Sequence, residues 1–169
     1  MAVALGARVT VFARHRDSLE RMHRLGANVT ALPSLPDLME QAVRDADLLV
    51  GAVLIPGART PRLVSRQLVS QMRPGSVIVD ISVDHGGCIE TTHPTDYDNP
   101  TYLVDGVVHF AVTNMPGAVP RTASQALSAA LLPYVLRLAR PDGLADPAIA
   151  SGINVRNGQL VHPALRKIN

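Results

Sequence analysis

Two stretches of this 169-residue chain are apolar at nearly every consecutive position, and they constrain its fold more than anything else in it. They are Asp47-Leu-Leu-Val-Gly-Ala-Val-Leu54 and Ser76-Val-Ile-Val-Asp-Ile-Ser-Val83. A strand wetted on one face alternates apolar and polar residues. One that does not alternate is covered on both faces, as in a parallel sheet with helices on each side. Further β-like runs fall at 8–12, 28–32 and 106–112, the last of them closing the series. Stretches with helical spacing lie between them at 17–25, 37–45 and 63–72, long enough for crossover connections. Gly26, Pro56-Gly57 and Pro74-Gly75 punctuate the series. The fold class expected is α/β, an incomplete doubly wound, Rossmann-like parallel sheet.

Residues 84–105 change character and read as a long loop of Gly, Thr, His, Pro and Asn, a length usually reserved for function. Thr122 is the expected cap of a long Ala/Leu helix to about residue 139, kinked at Pro133, and a weakly periodic tail follows. Aromatics are 3% of the chain with no Trp, so Val, Leu, Ile and Ala must build the core. The net charge is +2, and no basic block is interleaved with aromatics, which argues against nucleic-acid binding. No uncharged run reaches membrane-spanning length, and the start has no signal-peptide pattern. A single cysteine, Cys88, fits a reducing compartment, so the expected setting is the cytoplasm. Cys88 reads as a small buried residue, and His93 and His109 as loop and strand residues. No ligand-spaced cluster points to a metal.

In open parallel sheets, ligands bind beyond the carboxyl ends of the strands. Four such ends present Ala13-Arg14, Val53-Leu54-Ile55, Val83-Asp84 and Thr113-Asn114-Met115. Asp84, placed after an apolar strand and before His85-Gly86-Gly87, has two readings: a carboxylate that orients substrate or relays a proton, or a turn cap. Asn114, before Met115-Pro116-Gly117, is either a ligand contact or an Asx-turn residue. The GxGxxG fingerprint is absent before the run at 8–12. From the residues alone, the conclusion is an α/β domain with its ligand at the strand ends.

Three stretches say more: Gly51-Ala-Val-Leu-Ile-Pro-Gly-Ala58 with Pro61, Val77-Ile-Val-Asp-Ile-Ser-Val-Asp-His-Gly-Gly-Cys-Ile-Glu90, and His109-Phe-Ala-Val-Thr-Asn-Met-Pro-Gly-Ala-Val-Pro-Arg-Thr122 running on through Pro133-Tyr134. In order and spacing they closely resemble the C-terminal part of the alanine dehydrogenase family, with which the transhydrogenase α subunits share parts. The resemblance implies NAD-dependent oxidative deamination of L-alanine to pyruvate and ammonia, in a homo-oligomer. It assigns Asp84 as the catalytic aspartate and Asn114 as a contact of substrate and nicotinamide. Val53, Leu54, Ile81, Ser82, Val83, Val112, Thr113 and Met115 fall on cofactor-binding strand ends, and Ser34 lies near the adenosine.

The sequence departs from the family pattern in three places. The half that carries the family's substrate-binding Arg and Lys and its catalytic His is not among these residues. Neither are the glycine-rich loop and the first strand. The segment alone is therefore expected to be inactive or nearly so, with residues 1–121 a partial dinucleotide-binding domain and 122–169 a helix and tail belonging to the substrate domain. An alternative is a non-catalytic nucleotide-binding or assembly module derived from the family. Finally, Ala13 stands where an acidic residue would bind the ribose 2′-hydroxyl of NAD, and Arg14 and Arg16 follow it. Those arginines could accept the 2′-phosphate of NADP, or they could form a solvated basic loop.

Overall fold

The apolar runs become parallel strands, each shorter than its apolar stretch. The structure is a computed structural model that describes residues 1–165. The chain opens with β1 (Val9–Ala13), α1 (Arg16–His23), β2 (Val29–Pro33), α2 (Pro36–Asp45) and β3 (Leu48–Gly51). Then follow α3 (Arg66–Val69), β4 (Val77–Asp80), β5 (Thr101–Val104), β6 (Val107–Phe110), α4 (Pro120–Leu138), α5 (Pro147–Ser151), β7 (Val155–Arg156) and β8 (Gln159–Leu160).

The strands form two separate parallel arrangements and a small C-terminal hairpin. β1 pairs with β2 in parallel, Val9 opposite Val29 and Ala13 opposite Pro33, with α1 packed on both strands. A second sheet has the order β3-β4-β6-β5; β3, β4 and β6 are parallel, and β5 is antiparallel to β6. No ladder joins β1 to β3 among the described residues, so each keeps an edge without a strand partner. The core lies between the second sheet and helices α2 and α3, where Val43, Val69, Met72, Ile78, Ile89 and Val107 pack together. Burial of this kind contributes roughly 25 cal/mol per Å² of apolar surface removed from water.

Several expectations need correction. The run at 47–54 forms a strand only over Leu48–Gly51, and it is covered on one face rather than two: Leu48 is 56% and Val50 50% exposed. The run at 76–83 stops as a strand at Asp80, whose carboxylate accepts a hydrogen bond from the Ser82 N–H and caps a 3-10 turn over Ile81–His85. The expected helix at 63–72 shrinks to one turn, capped by Ser65 accepting from the Leu68 N–H at 3.2 Å. Leu63 and Val64 are drawn instead into a bridge with Cys88–Glu90: the Leu63 N–H donates to the Cys88 carbonyl and the Glu90 N–H to the Val64 carbonyl. The loop at 84–105 takes in the last two residues of that 3-10 turn and the whole of β5. Nor is β6 the last strand, since β7 and β8 follow.

Helix α4 begins at Pro120, not at Thr122, and continues through Pro133. Pro120 suits the first helical position because its fixed φ is already helical and its missing N–H would have had no partner there. None of the helix is buried, and Leu127, Leu131, Leu132, Val135 and Leu136 are all exposed. Among the described residues no helix is long and apolar enough to cross a membrane.

Candidate functional site at the strand ends

β4 and β6 are neighbours, and the segments leaving their carboxyl ends carry Asp84 and Asn114. Asp84 sits on the 3-10 turn after β4, and Asn114 lies four residues beyond the end of β6. The Asn114 backbone is left-handed, with φ 48° and ψ 51°, a conformation that asparagine tolerates better than most residues. This turn aims its N–H at Asp84, whose Oδ2 accepts it at 3.2 Å. The Asn114 side chain folds over Gly117, where an added Cβ would sit 3.0 Å from Nδ2. Both residues are exposed, so a carboxylate and a carboxamide stand together at the open end of the sheet.

The residues around this pair divide by what they can offer a ligand. Leu54 is 65% and Ile81 50% exposed, and they present apolar surface on the segments that follow β3 and β4. Val83 and Val112 are buried and pack beneath the strand ends. Ser82 is buried too, and its hydroxyl accepts from the Val53 N–H at 2.7 Å, tying the segment after β3 to the segment after β4. The Thr113 N–H donates to the Thr95 carbonyl, and the Met115 carbonyl accepts from the Tyr97 hydroxyl. Ile81, Ser82 and Val83 thus lie on the turn beyond β4, not on the strand itself.

Arg14, Arg16 and Ser34 belong to the other sheet. Ala13 pairs with Pro33, so Arg14 and Ser34 follow neighbouring strand ends. Arg16 opens α1 and pairs through Nε with Glu20 Oε1 at 2.8 Å. Among the described residues no hydrogen bond or ion pair links these three to the Asp84–Asn114 pair. Two surface concavities, one lined by Arg137, Arg140 and Asp146 and one by Glu40, Arg44 and Gln71, lie away from the strand ends.

The sequence reading missed the buried polar groups beneath the site. Asp80 is fully buried, and its Oδ2 accepts from the Cys88 N–H at 3.0 Å and the Thr92 hydroxyl at 2.6 Å. Cys88 is buried as expected; burial, with the Asp80 carboxylate adding to it, pushes its thiol up to about 11. His109 is buried in β6, where Thr91 Oγ1 lies 2.8 Å from Nε2 and the Val107 carbonyl 3.0 Å from Nδ1; burial lowers its pKa. Tyr102 stacks between His93 and His109, with centroids at 3.9 and 5.1 Å. One visible signal was Asp80 itself, a carboxylate inside an otherwise apolar run.

Parallel strands whose carboxyl ends bring a carboxylate and an amide together define a domain of the doubly wound α/β class. Within that class the chain belongs to the family described as "Alanine dehydrogenase/PNT, C-terminal domain", whose profile matches residues 1–163. It is 48% identical to an alanine dehydrogenase of Halomonas elongata, over 98% of this chain and 46% of that protein. It is 47% identical to the Bacillus subtilis alanine dehydrogenase, over 99% of this chain and 46% of that one. A solved L-alanine dehydrogenase superposes with a TM-score of 0.85 at 52% identity, covering 99% of this chain and 48% of that chain. A transhydrogenase from Sinorhizobium meliloti superposes at 0.65 with 25% identity, covering 94% and 50%. The chain spans about half the length of the relatives it matches.

Proposed function

We propose that this chain supplies the cofactor-side part of an alanine dehydrogenase acting on L-alanine and pyruvate in the cytoplasm as a homo-oligomer. The observation that carries the reading is the Asp84–Asn114 pair at the ends of adjacent parallel strands, in a chain 47–48% identical to named alanine dehydrogenases. In this reading residues 1–121 are part of a dinucleotide-binding domain, and 122–169 pack with the substrate domain of the longer protein.

The strand ends suit a nicotinamide dinucleotide in part. Exposed Leu54 and Ile81 offer apolar contact, and Gly86 and Gly87, both at positive φ, let backbone come close. No GxGxxG turn stands among these residues to hold a pyrophosphate. The backbone of Val53, Val83, Val112, Thr113 and Met115 would line the nicotinamide side, and Ser34 the adenosine side. A bound nicotinamide would supply the acceptor for the hydride of the alanine α-carbon. Asn114 orients substrate through its carboxamide. Asp84 holds the water that hydrolyses the resulting imine, or relays its proton, with its own position fixed by the Asn114 N–H. Ala13 puts no carboxylate against a 2′-phosphate, and Arg14 is free of any ion pair among the described residues, so NADP is accepted beside NAD. Arg16 contributes less, being held by Glu20.

A chimera tests this reading: residues 1–165 replace the matching region of the Bacillus subtilis enzyme, and alanine-dependent reduction of NAD and NADP is followed. The expectation is turnover by the chimera and none, or nearly none, by the 169-residue chain alone. Asp84→Asn should cost the chimera about 100-fold or more in kcat. A folded chimera without turnover would sink the assignment, and one that ignores NADP would sink the cofactor reading.

A further inference from the structure

Among the described residues the Asp84 side chain has one hydrogen-bond partner, the Asn114 N–H, yet the segment carrying it is closed into a ring by a residue that never reaches the surface. Asp80 is 0% exposed. Its Oδ1 accepts from the Ser82 N–H at 3.0 Å, an ordinary cap for the 3-10 turn. Its Oδ2 does something a cap does not. It accepts from the Cys88 N–H, eight residues on, and from the Thr92 hydroxyl, twelve residues on. Thr92 Oγ1 also contacts the Ile89 carbonyl at 2.8 Å. Gly87 runs so close that an added Cβ would lie 2.8 Å from both Asp80 Oδ2 and Thr92 Oγ1, and its φ of +75° suits glycine. Ser82 carries the ring to the segment after β3 by accepting from the Val53 N–H. Among the described residues no ion pair reaches this buried carboxylate; neutral donors hold it, which makes its geometry directional rather than merely electrostatic.

We propose that Asp80 is a positioning residue whose buried carboxylate clasps residues 81–92 and thereby sets Asp84 against Asn114. The inference deepens the reading of Asp84 as the site's carboxylate. An Asn at position 80 would keep the volume but turn one oxygen into an N–H donor. That donor would face another donor, and the ring would open while the strands stayed paired.

The test uses the 169-residue chain and amide resonances, so it reads the contact and not turnover. In the unaltered protein, Asp84→Asn should shift the Asn114 amide, because the acceptor of its N–H changes. In an Asp80→Asn background the same substitution should leave that resonance unmoved, and the Asn114 amide should exchange roughly tenfold faster. The amides of the β3–β4 ladder should keep their protection. Thr92→Val should give the same loss in weaker form and Thr92→Ser should restore it, which keeps the test decisive if Asp80→Asn does not fold. Thr91→Val, which removes the His109 partner and lowers stability elsewhere, should leave the Asn114 response intact. If Asp80→Asn or Thr92→Val retains the Asp84-dependent shift, the clasp is overturned. A chimera without turnover but with this response intact would overturn the alanine dehydrogenase reading instead.

Discussion

Gly51 ends β3 with no room above its Cα. An added Cβ would lie 2.5 Å from Cys88 Sγ and 3.2 Å from Asp80 Oδ1. Gly51→Ala should therefore cost about 1–3 kcal/mol, the usual range for overpacking, read as a lowered urea midpoint. Adding Cys88→Ala should recover part of the loss, because the nearest atom is then gone; an unchanged midpoint in Gly51→Ala would show that the backbone yields. The buried titratable groups set limits on pH. His109 has its pKa lowered in the fold from 6.5, so the unfolded chain binds the proton more readily. Its contribution is complete above 6.5 and is lost as pH falls through the folded value. Cys88 is raised from 9.0 to about 11, so its contribution is complete below 9.0 and lost as pH climbs through about 11. The melting temperature should be highest between these limits, and His109→Gln should flatten the decline just below 6.5. If the decline is unchanged, another group is its source.

The elements show which local signals win. Val104-Asp105-Gly106-Val107 is a two-residue hairpin with φ of 51° at Asp105 and 80° at Gly106. The same chemistry recurs at Asn157-Gly158 between β7 and β8, with φ of 51° and 76°. Asp-Gly and Asn-Gly are the residues that adopt two successive positive φ values, so both hairpins were legible in the sequence. The first lies across the end of the 84–105 stretch, where the Gly, Pro and Asn content that marks a loop also hides a tight turn. Gly106→Ala should cost about 1–2 kcal/mol through backbone strain alone, since its Cβ would meet only Pro74 at an ordinary 3.5 Å. Asp105→Asn should be neutral or slightly stabilising by the same turn preference. Chemical denaturation of the two variants checks both, and a Gly106→Ala protein as stable as the parent would remove strain from the account. The short α3 was not legible. Nothing in 63–72 announces that Leu63 and Val64 will bridge to Cys88–Glu90, because that choice depends on a partner about 25 residues away.

For the whole molecule, exposed apolar surface is the main unresolved demand. α4 has no buried residue along 19 positions, and Leu127, Leu131 and Val135 lie four apart on one stripe. An apolar stripe of this length left open to water favours packing against another surface. The chain should therefore self-associate at micromolar concentrations, and Leu131→Lys with Val135→Lys should shift it toward monomer without loss of helix. Sedimentation velocity with circular dichroism checks this, and a parent that stays monomeric across that range would contradict it. The α/β class, the parallel strands and the positions of Asp84 and Asn114 beyond strand ends are legible in the residues alone. These follow from local periodicity and turn chemistry, which need no partner to be read. Where the strands stop, the separation of β1 and β3 into two sheets and the burial of Asp80 beneath the site emerge from three-dimensional packing. Those outcomes depend on hydrogen bonds between residues far apart in sequence, such as Asp80 with Thr92 and Val53 with Ser82. No local pattern encodes the geometry of such contacts.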